Sequence, residues 1–348
     1  MIKKINCTFS DNELLLLIEG GSPAENTPPE ALVKSPLFRR ADAVRREVYG
    51  NAVYARGLIE FSNYCRNNCL YCGLRAENSQ IPRYRLTREE IVACCDSAYQ
   101  NGMRTFVLQS GEDPHFSDHE ICGIVSSLKQ KFPGCAVTLS VGEKSRESYQ
   151  SYFDAGADRY LLRHETANGG HYAKLHPSDM TAENRKKCLY DLKEIGYQVG
   201  AGLMVGSPYQ TPSHLLEDIR FMRALQPDMI GVGPFIPHGQ TPFAKFPRGT
   251  LNACLRLVAV LRIFFPHALI PATTALGVVH PYGRELALQA GANVVMPNFS
   301  PLSTRALYVP YNKKTGVDGE AAANCRRLRE SIAGIGYEMV VDVGNVKR

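Results

Sequence analysis

Three cysteines, Cys65, Cys69 and Cys72, stand in the run Phe61-Ser-Asn-Tyr-Cys-Arg-Asn-Asn-Cys-Leu-Tyr-Cys-Gly73. They supply one thiolate fewer than the four that normally hold a 4Fe-4S cube. A cube held at three corners keeps one iron open to a small molecule, as catalytic zinc sites keep an open position and structural ones do not. The alternative is zinc, which needs a fourth ligand, and none of the nine histidines falls near the triplet in sequence. The remaining cysteines lack ligand spacing. Cys94 and Cys95 share a helical stripe with Ile91 and Ala98, and Cys7, Cys122, Cys135, Cys188, Cys254 and Cys325 are scattered. Eleven cysteines with such a cluster suit a reducing cytoplasm, where they read as metal or catalytic sites rather than disulfides.

Other reactive types sit where short apolar runs end. Ser110-Gly111-Glu112 is a turn whose glycine lets backbone approach a ligand closely, although an ordinary strand-to-helix turn would use the same residues. Arg163 and Glu165 are two apart on an extended run and so point the same way. Burying an isolated charge costs several kcal/mol or more, roughly, so the pair implies either a ligand or an internal salt bridge, with Asp158 as another partner. Thr273 and Thr274 end one run, and Thr138 with Ser140 ends another. Their hydroxyls can bond a polar ligand, but β-branched threonine is also simply a good strand former.

The elements that position these groups follow a βα rhythm. Eight β-rich runs are expected at Gly57 to Phe61, Thr105 to Gln109, Ala136 to Val141, Arg159 to Arg163, Gln198 to Met204, Met229 to Gly233, Leu269 to Thr273 and Asn293 to Met296. Thr87-Arg-Glu-Glu90 and Ser117-Asp-His-Glu120 are capping boxes, and Thr211-Pro212 puts a cap before a first-turn proline. Gly102, Gly156, Gly196 and Gly291 mark helix stops. The fold expected is α/β, a complete (βα)8 TIM barrel over 51–311. A helical extension over 1–50, with helices around Asn12 to Glu19 and Pro29 to Tyr49, covers the barrel's bottom or flank. A short extension over 312–348 packs on the barrel, with a helix near Ala321 to Ile332 and an apolar run at Met339 to Val341. Active sites of such barrels lie at the C-terminal ends of the strands. The cysteine triplet begins four residues past the first run and obeys that rule.

At 348 residues, 44% hydrophobic and 21% charged, the chain has ample material for one large core. The net charge of +6 is spread without a Lys/Arg run, which disfavours nucleic acid and suits an anionic small ligand. No apolar segment is long enough for a membrane helix or a signal-peptide core.

The cysteine spacing, with an aromatic before the last Cys, resembles the signature of the radical S-adenosylmethionine (SAM) superfamily. Glu60-Phe-Ser-Asn-Tyr-Cys, Asn68-Cys-Leu-Tyr-Cys-Gly-Leu-Arg75, Leu108-Gln-Ser-Gly-Glu-Asp-Pro114, Arg159-Tyr-Leu-Leu-Arg-His-Glu-Thr-Ala-Asn168, Gly231-Val-Gly-Pro-Phe-Ile-Pro-His238 and Pro271-Ala-Thr-Thr-Ala275 are similar to the HydE family of FeFe-hydrogenase maturases. Biotin synthase and methylornithine synthase resemble it more distantly. The resemblance implies that Cys65, Cys69 and Cys72 hold one 4Fe-4S cluster whose open iron binds SAM. It implies SAM contacts from Ser110, Gly111, Glu112, Glu165 and Arg185. Arg163, Thr273 and Thr274 would face the substrate with Thr138 beside them, and Met229, Ile236, Met296, Tyr308 and Tyr311 would surround SAM and the substrate cavity. Some family members carry a second cluster near the C-terminus; only Cys325 lies there in this chain, so one cluster is expected. The substrate implied is a small organometallic, a cysteine-bound iron dicarbonyl cyanide synthon, and the partners are an electron donor such as ferredoxin or flavodoxin, a sister radical SAM maturase and a GTPase scaffold. Two other readings stay open: a diverged enzyme acting on a small amino acid or thiol, as methylornithine synthase does, and a non-catalytic iron-sulfur carrier.

Overall fold

The short apolar runs from Gly57 to Pro234 become strands, and the capped amphipathic stretches between them become helices laid against the sheet. The structure, a computed structural model, describes residues 10–19, 27–312, 314 and 319–347. Its strands are β1 (Ala52–Ala55), β2 (Gly57–Ser62), β3 (Thr105–Ser110), β4 (Ala136–Ser140), β5 (Arg159–Leu161), β6 (Gln198–Val205), β7 (Met229–Pro234), β8 (Val294–Val295) and β9 (Glu338–Val340). From β2 to β7 they form one parallel sheet in chain order, with Leu58 opposite Val107, Val107 opposite Thr138, Thr138 opposite Arg159 and Gly200 opposite Met229. All six residues of β2 are buried, as a parallel sheet covered by helices requires.

Beyond β7 the expected seventh run does not form a strand. Leu269 and Pro271 make only isolated parallel bridges to Met229 and Val294. Pro271 has no N–H to give to a ladder, which limits pairing there. The eighth run shortens to Val294–Val295, which joins β1 and β9 in a separate three-stranded sheet of order β8-β1-β9. A parallel bridge between Leu58 and Asn298 links the 293–298 segment to β2. The sheet is therefore a six-stranded parallel array extended by single bridges, rather than one continuous eight-stranded ladder.

The helix signals hold. Thr87 and Ser117 form reciprocal capping boxes with Glu90 and Glu120, and Pro212 opens the helix Pro212–Leu225. Gly102, Gly156, Gly196 and Gly291 take φ values of 88°, 108°, 114° and 111°, the left-handed conformation that lets a helix turn back into the sheet. The expected helix from Pro29 to Tyr49 is broken into Pro29–Leu32 and Pro36–Tyr49, because Pro36 forces Ser35 into an extended conformation. Helix Pro36–Tyr49 packs on helix Leu251–Phe264, and helix Asp11–Glu19 lies against that helix and Pro212–Leu225, so both cover the flank. The main apolar core, including Phe106, Leu128, Tyr160, Leu192, Ile219 and Leu261, fills the layer between sheet and helices.

Candidate active site

The loop after β2 has no regular hydrogen-bond ladder, so other groups must hold it. Arg83 does much of this: its guanidinium donates to the carbonyls of Asn63, Leu74, Arg75 and Asn78, the last three at 2.9, 2.7 and 3.0 Å. Arg66 N donates to Glu112 O at 2.9 Å, Leu70 N to Leu175 O at 2.9 Å and Gly73 N to Pro310 O at 2.8 Å. Two glycines allow these close approaches. A Cβ on Gly111 would lie 2.2 Å from Tyr64 O and 2.7 Å from Cys65 Cβ, and one on Gly73 would lie 2.3 Å from Val309 O.

This frame holds Cys65, Cys69 and Cys72 as half-buried free thiols. Burial, then the neighbouring Cys65, pushes the Cys72 thiol up to about 12. Burial raises Cys69 further, reinforced by Cys72 and Cys65, and burial raises Cys65 as well. Cys72 and Cys65 oppose ionisation of Cys69, and Cys65 opposes that of Cys72, so a cationic guest is what would make them thiolates together. Among the described residues, no three His, Cys, Asp or Glu side chains converge on a point suited to a single metal ion. A cube presents its irons at separate corners and asks for a different geometry. The donor set, the mutual repulsion and the glycine cradle fit such a cluster.

Two of the three cysteines, Cys65 and Cys72, open onto a cavity of about 830 Å³ at the C-terminal ends of the strands. It also brings together Ser110, Gly111, Arg163, Glu165, Arg185, Ile236, Thr273, Thr274, Met296, Tyr308 and Tyr311. Cys69 sits behind the wall, its Sγ 4.0 Å from Met180 Sδ. Glu112 stays outside the lining too. Its carboxylate pairs with Arg66 at 3.1 Å and accepts from Glu143 N at 2.9 Å, tying the cysteine loop to the loop after β4.

Thr138 and Met229 lie elsewhere. Both line a separate small cavity with Arg56, Arg159 and Leu269 at the opposite, N-terminal end of the strands. Thr138 does face inward, but Ser140, two residues on and on the same side of the strand, is the one that reaches the main cavity. The sequence expectation grouped Thr138 with Thr273 and Thr274, but they line different cavities.

Arg163 donates to Glu165 Oε2 at 2.9 Å, while its buried Nε has no partner. Glu165 has φ 63°, a left-handed value for a non-glycine residue that costs on the order of 1–2 kcal/mol. Its backbone is fixed by donation to Gly202 O at 3.0 Å, so the turn after β5 is held open toward the cavity. Arg185 pairs through Nε with Glu143 and donates from Nη1 to Arg163 O at 2.8 Å. Burial opposes its charge, but Tyr172 and Glu143 more than offset this and hold its pKa above the ordinary value. Thr273 Oγ1 donates to Val232 O at 3.2 Å, and Tyr308 Oη accepts from Gln109 Nε2 at 3.1 Å.

Several residues that matter here carried no sequence signal. Glu143 and Arg83 lie in irregular loops outside any motif. Glu60 and Lys314 form a buried pair at the cavity wall, with Asn298 donating to Glu60 at 2.7 Å. Glu60, two residues before the end of β2, did lie in a run that carries the family resemblance, but its pairing with Lys314 was not foreseen. Cys94 and Cys95 are buried on the helix Arg88–Gln100 as their spacing predicted, and Cys7 lies outside the described residues.

Comparison with known proteins bears on this geometry. Residues 59–222 match the model of the radical SAM superfamily. The chain is 49% identical over 312 residues to the [FeFe] hydrogenase maturase subunit HydE of Thermotoga maritima, covering 90% of this chain and 89% of that one. It is 32% identical to the 3-methylornithine synthase of Methanosarcina acetivorans over 78% of this chain and 77% of that one. Among solved structures, methylornithine synthase (PylB) superposes with a TM-score of 0.78 at 26% identity over 95% of this chain and 94% of that one. The maturase HydG superposes with a TM-score of 0.74 at 21% identity over 95% of this chain and 76% of that one, a likeness of fold.

Proposed function

The chain belongs to the HydE family of the radical SAM superfamily, and from that premise we propose that it acts in maturation of the FeFe-hydrogenase active site on a small anionic organometallic bound in the 830 Å³ cavity. Members of this family bind a 4Fe-4S cluster and SAM, which supply reductive cleavage of SAM to methionine and a 5′-deoxyadenosyl radical. In this chain Cys65, Cys69 and Cys72 would hold the cluster. Ser110 and Gly111 would offer backbone to the amino group of SAM, Arg185 would take its carboxylate, and Glu165 a polar group of the same cofactor. Ile236, Met296 and Tyr308 would give it apolar walls.

Arg163 carries the assignment of the substrate. Its buried Nε lacks a partner and its side chain lines the cavity, so the guanidinium has capacity for an incoming anion beyond its bond to Glu165. Thr273, Thr274 and Tyr311 line the same cavity and would orient the anion while keeping water out. The substrate we propose is the cysteine-bound iron dicarbonyl cyanide synthon, made by a sister radical SAM maturase and passed on to a GTPase scaffold, with ferredoxin or flavodoxin as electron donor. The single bridges through Leu269, Pro271 and Asn298 support a closed (βα)8 barrel as the vessel.

The test is single turnover. Anaerobically reconstituted protein, SAM and reductant should yield 5′-deoxyadenosine, and adding the synthon should raise the yield. Absence of SAM cleavage refutes the reading at its first step; cleavage that ignores the synthon but responds to a small amino acid favours the second reading, a mutase-like activity. That alternative rests on the match to methylornithine synthase over nearly the whole chain.

A further inference from the structure

One tyrosine within the cysteine loop and one packed behind it share a histidine, and the first of them has its hydroxyl satisfied. Tyr71 Oη lies 3.1 Å from His176 Nε2. His176 Nδ1 lies 3.1 Å from the carbonyl oxygen of Tyr172, which can only accept, so Nδ1 carries the proton and Nε2 accepts from Tyr71. Burial, with the charge of Arg185, pushes the His176 pKa down to about 3, so the imidazole stays neutral in that tautomer.

Tyr172 is the other. Its ring stacks on His176 with centroids 3.8 Å apart and planes 18° from parallel, and packs with Met180 and Ala182 against Cys69. These contacts hold the ring in place. Yet its hydroxyl is buried, 1% of the residue being exposed, and has no hydrogen-bond partner. The charges around it are those of Arg185, Glu143, Cys69 and Glu165. A buried hydroxyl with nothing to bond is costly, and native structures rarely keep one without a reason. Here the unmet donor sits beside the thiol and the guanidinium that the cofactors would engage.

We propose that Tyr172 is a cofactor-binding residue whose hydroxyl donates to an anionic acceptor that arrives with the cofactors: the Cys69 thiolate once it holds iron, or the methionyl carboxylate of SAM beside Arg185. The inference rests on the reading that this chain loads a cluster and SAM. His176 is the positioning residue. It stacks on the Tyr172 ring while accepting from Tyr71, so the tyrosine between Cys69 and Cys72 and the tyrosine behind Cys69 share one support.

Tyr172→Phe removes the hydroxyl and keeps the ring. In the cluster-free protein the variant should melt no lower than wild type, because the hydroxyl bonds nothing there; a lower melting temperature would reveal a structural partner and overturn the proposal. In the reconstituted protein two measurements separate the acceptors. If the acceptor is the thiolate, the cluster's midpoint potential without SAM falls, since a hydrogen bond to the thiolate favours the more negative reduced state. If the acceptor is the carboxylate, that potential is unchanged and SAM binds about ten-fold more weakly by titration. A variant that matches wild type in both potential and SAM affinity overturns the assignment alone. A wild-type protein whose spectrum does not respond to SAM removes the cofactor reading and this inference together.

Discussion

Gly111→Ala isolates the closest packing in the site. The new Cβ would stand 2.2 Å from Tyr64 O, and real Cβ contacts below 3.0 Å are essentially never seen, so that carbonyl must retreat by at least 0.8 Å (3.0 − 2.2). It cannot do so freely, because Gly111 N donates to Ser62 O at 3.3 Å and Arg66 N to Glu112 O at 2.9 Å, clamping the loop on both sides of Cys65. Overpacking of this kind costs about 1–3 kcal/mol, and losing one clamp adds about 1 kcal/mol. The fold should survive such a loss. Metal ligands, in contrast, tolerate displacement of only about 0.2 Å. Cluster loading should therefore fail before folding does. Anaerobic reconstitution should give wild type about four irons per chain, with Gly111→Ala well below that, while urea melts of the apo-protein show a loss of about 2–4 kcal/mol. Gly134→Ala, where nothing lies within 4 Å of the new carbon, is the neutral control. Full iron loading of Gly111→Ala at wild-type stability would refute the argument that this glycine sets the seat of Cys65.

Glu143→Gln should cost the apo-protein about 3 kcal/mol in urea melts, the low end for breaking a buried pair, because Arg185 keeps its bond to Arg163 O at 2.8 Å. His176→Gln should change the pH dependence of apo-protein stability. The folded pKa of His176 is depressed to about 3, so its contribution is fully present above about pH 6.5 and is lost as pH falls from there toward 3; the variant should lose up to about 1.4 kcal/mol per pH unit of that slope. His171 and His238 are also lowered by burial and leave a residual slope. Thr138→Val should leave SAM affinity unchanged and stability equal or slightly higher, since its Oγ1 has no partner and it lines only the lower cavity. A SAM titration and a melting curve check both statements.

The cysteine triplet and the strand-end residues were legible because their chemistry is local: ligand spacing and strand position are both written along the chain. Seven of the eight expected runs could be read for the same reason, the eighth only over Val294–Val295. The seventh misled because Leu269 to Thr273 has strand composition while Pro271 lacks the donor that a ladder needs. Thr138 misled more subtly. Period-two alternation says that it faces inward with Ser140, but not which layer of the interior it occupies; that depends on the register of β3, β4 and β5. Glu143 was invisible because an acid in an irregular loop has no pattern until folding sets it against Arg185. Arg83 was hidden likewise, since its carbonyl partners belong to a loop with no ladder of its own.

The small sheet β8-β1-β9 has a consequence for timing. Ala52 to Tyr54 pair with Glu338 to Val340, so β1 gains that neighbour only when β9, nearly three hundred residues on, has been made. Cys65, Cys69 and Cys72 leave the ribosome early, whereas Thr273, Tyr308 and the strand that locks β1 follow far behind. At about 5–20 residues per second, the thiols wait roughly 15–50 s before their walls exist. For that interval they are three unguarded nucleophiles on a nascent chain. Assembly of the site is thus coupled to synthesis of Glu338 to Val340, and oxidants or stray metal ions have their best access before that strand is made.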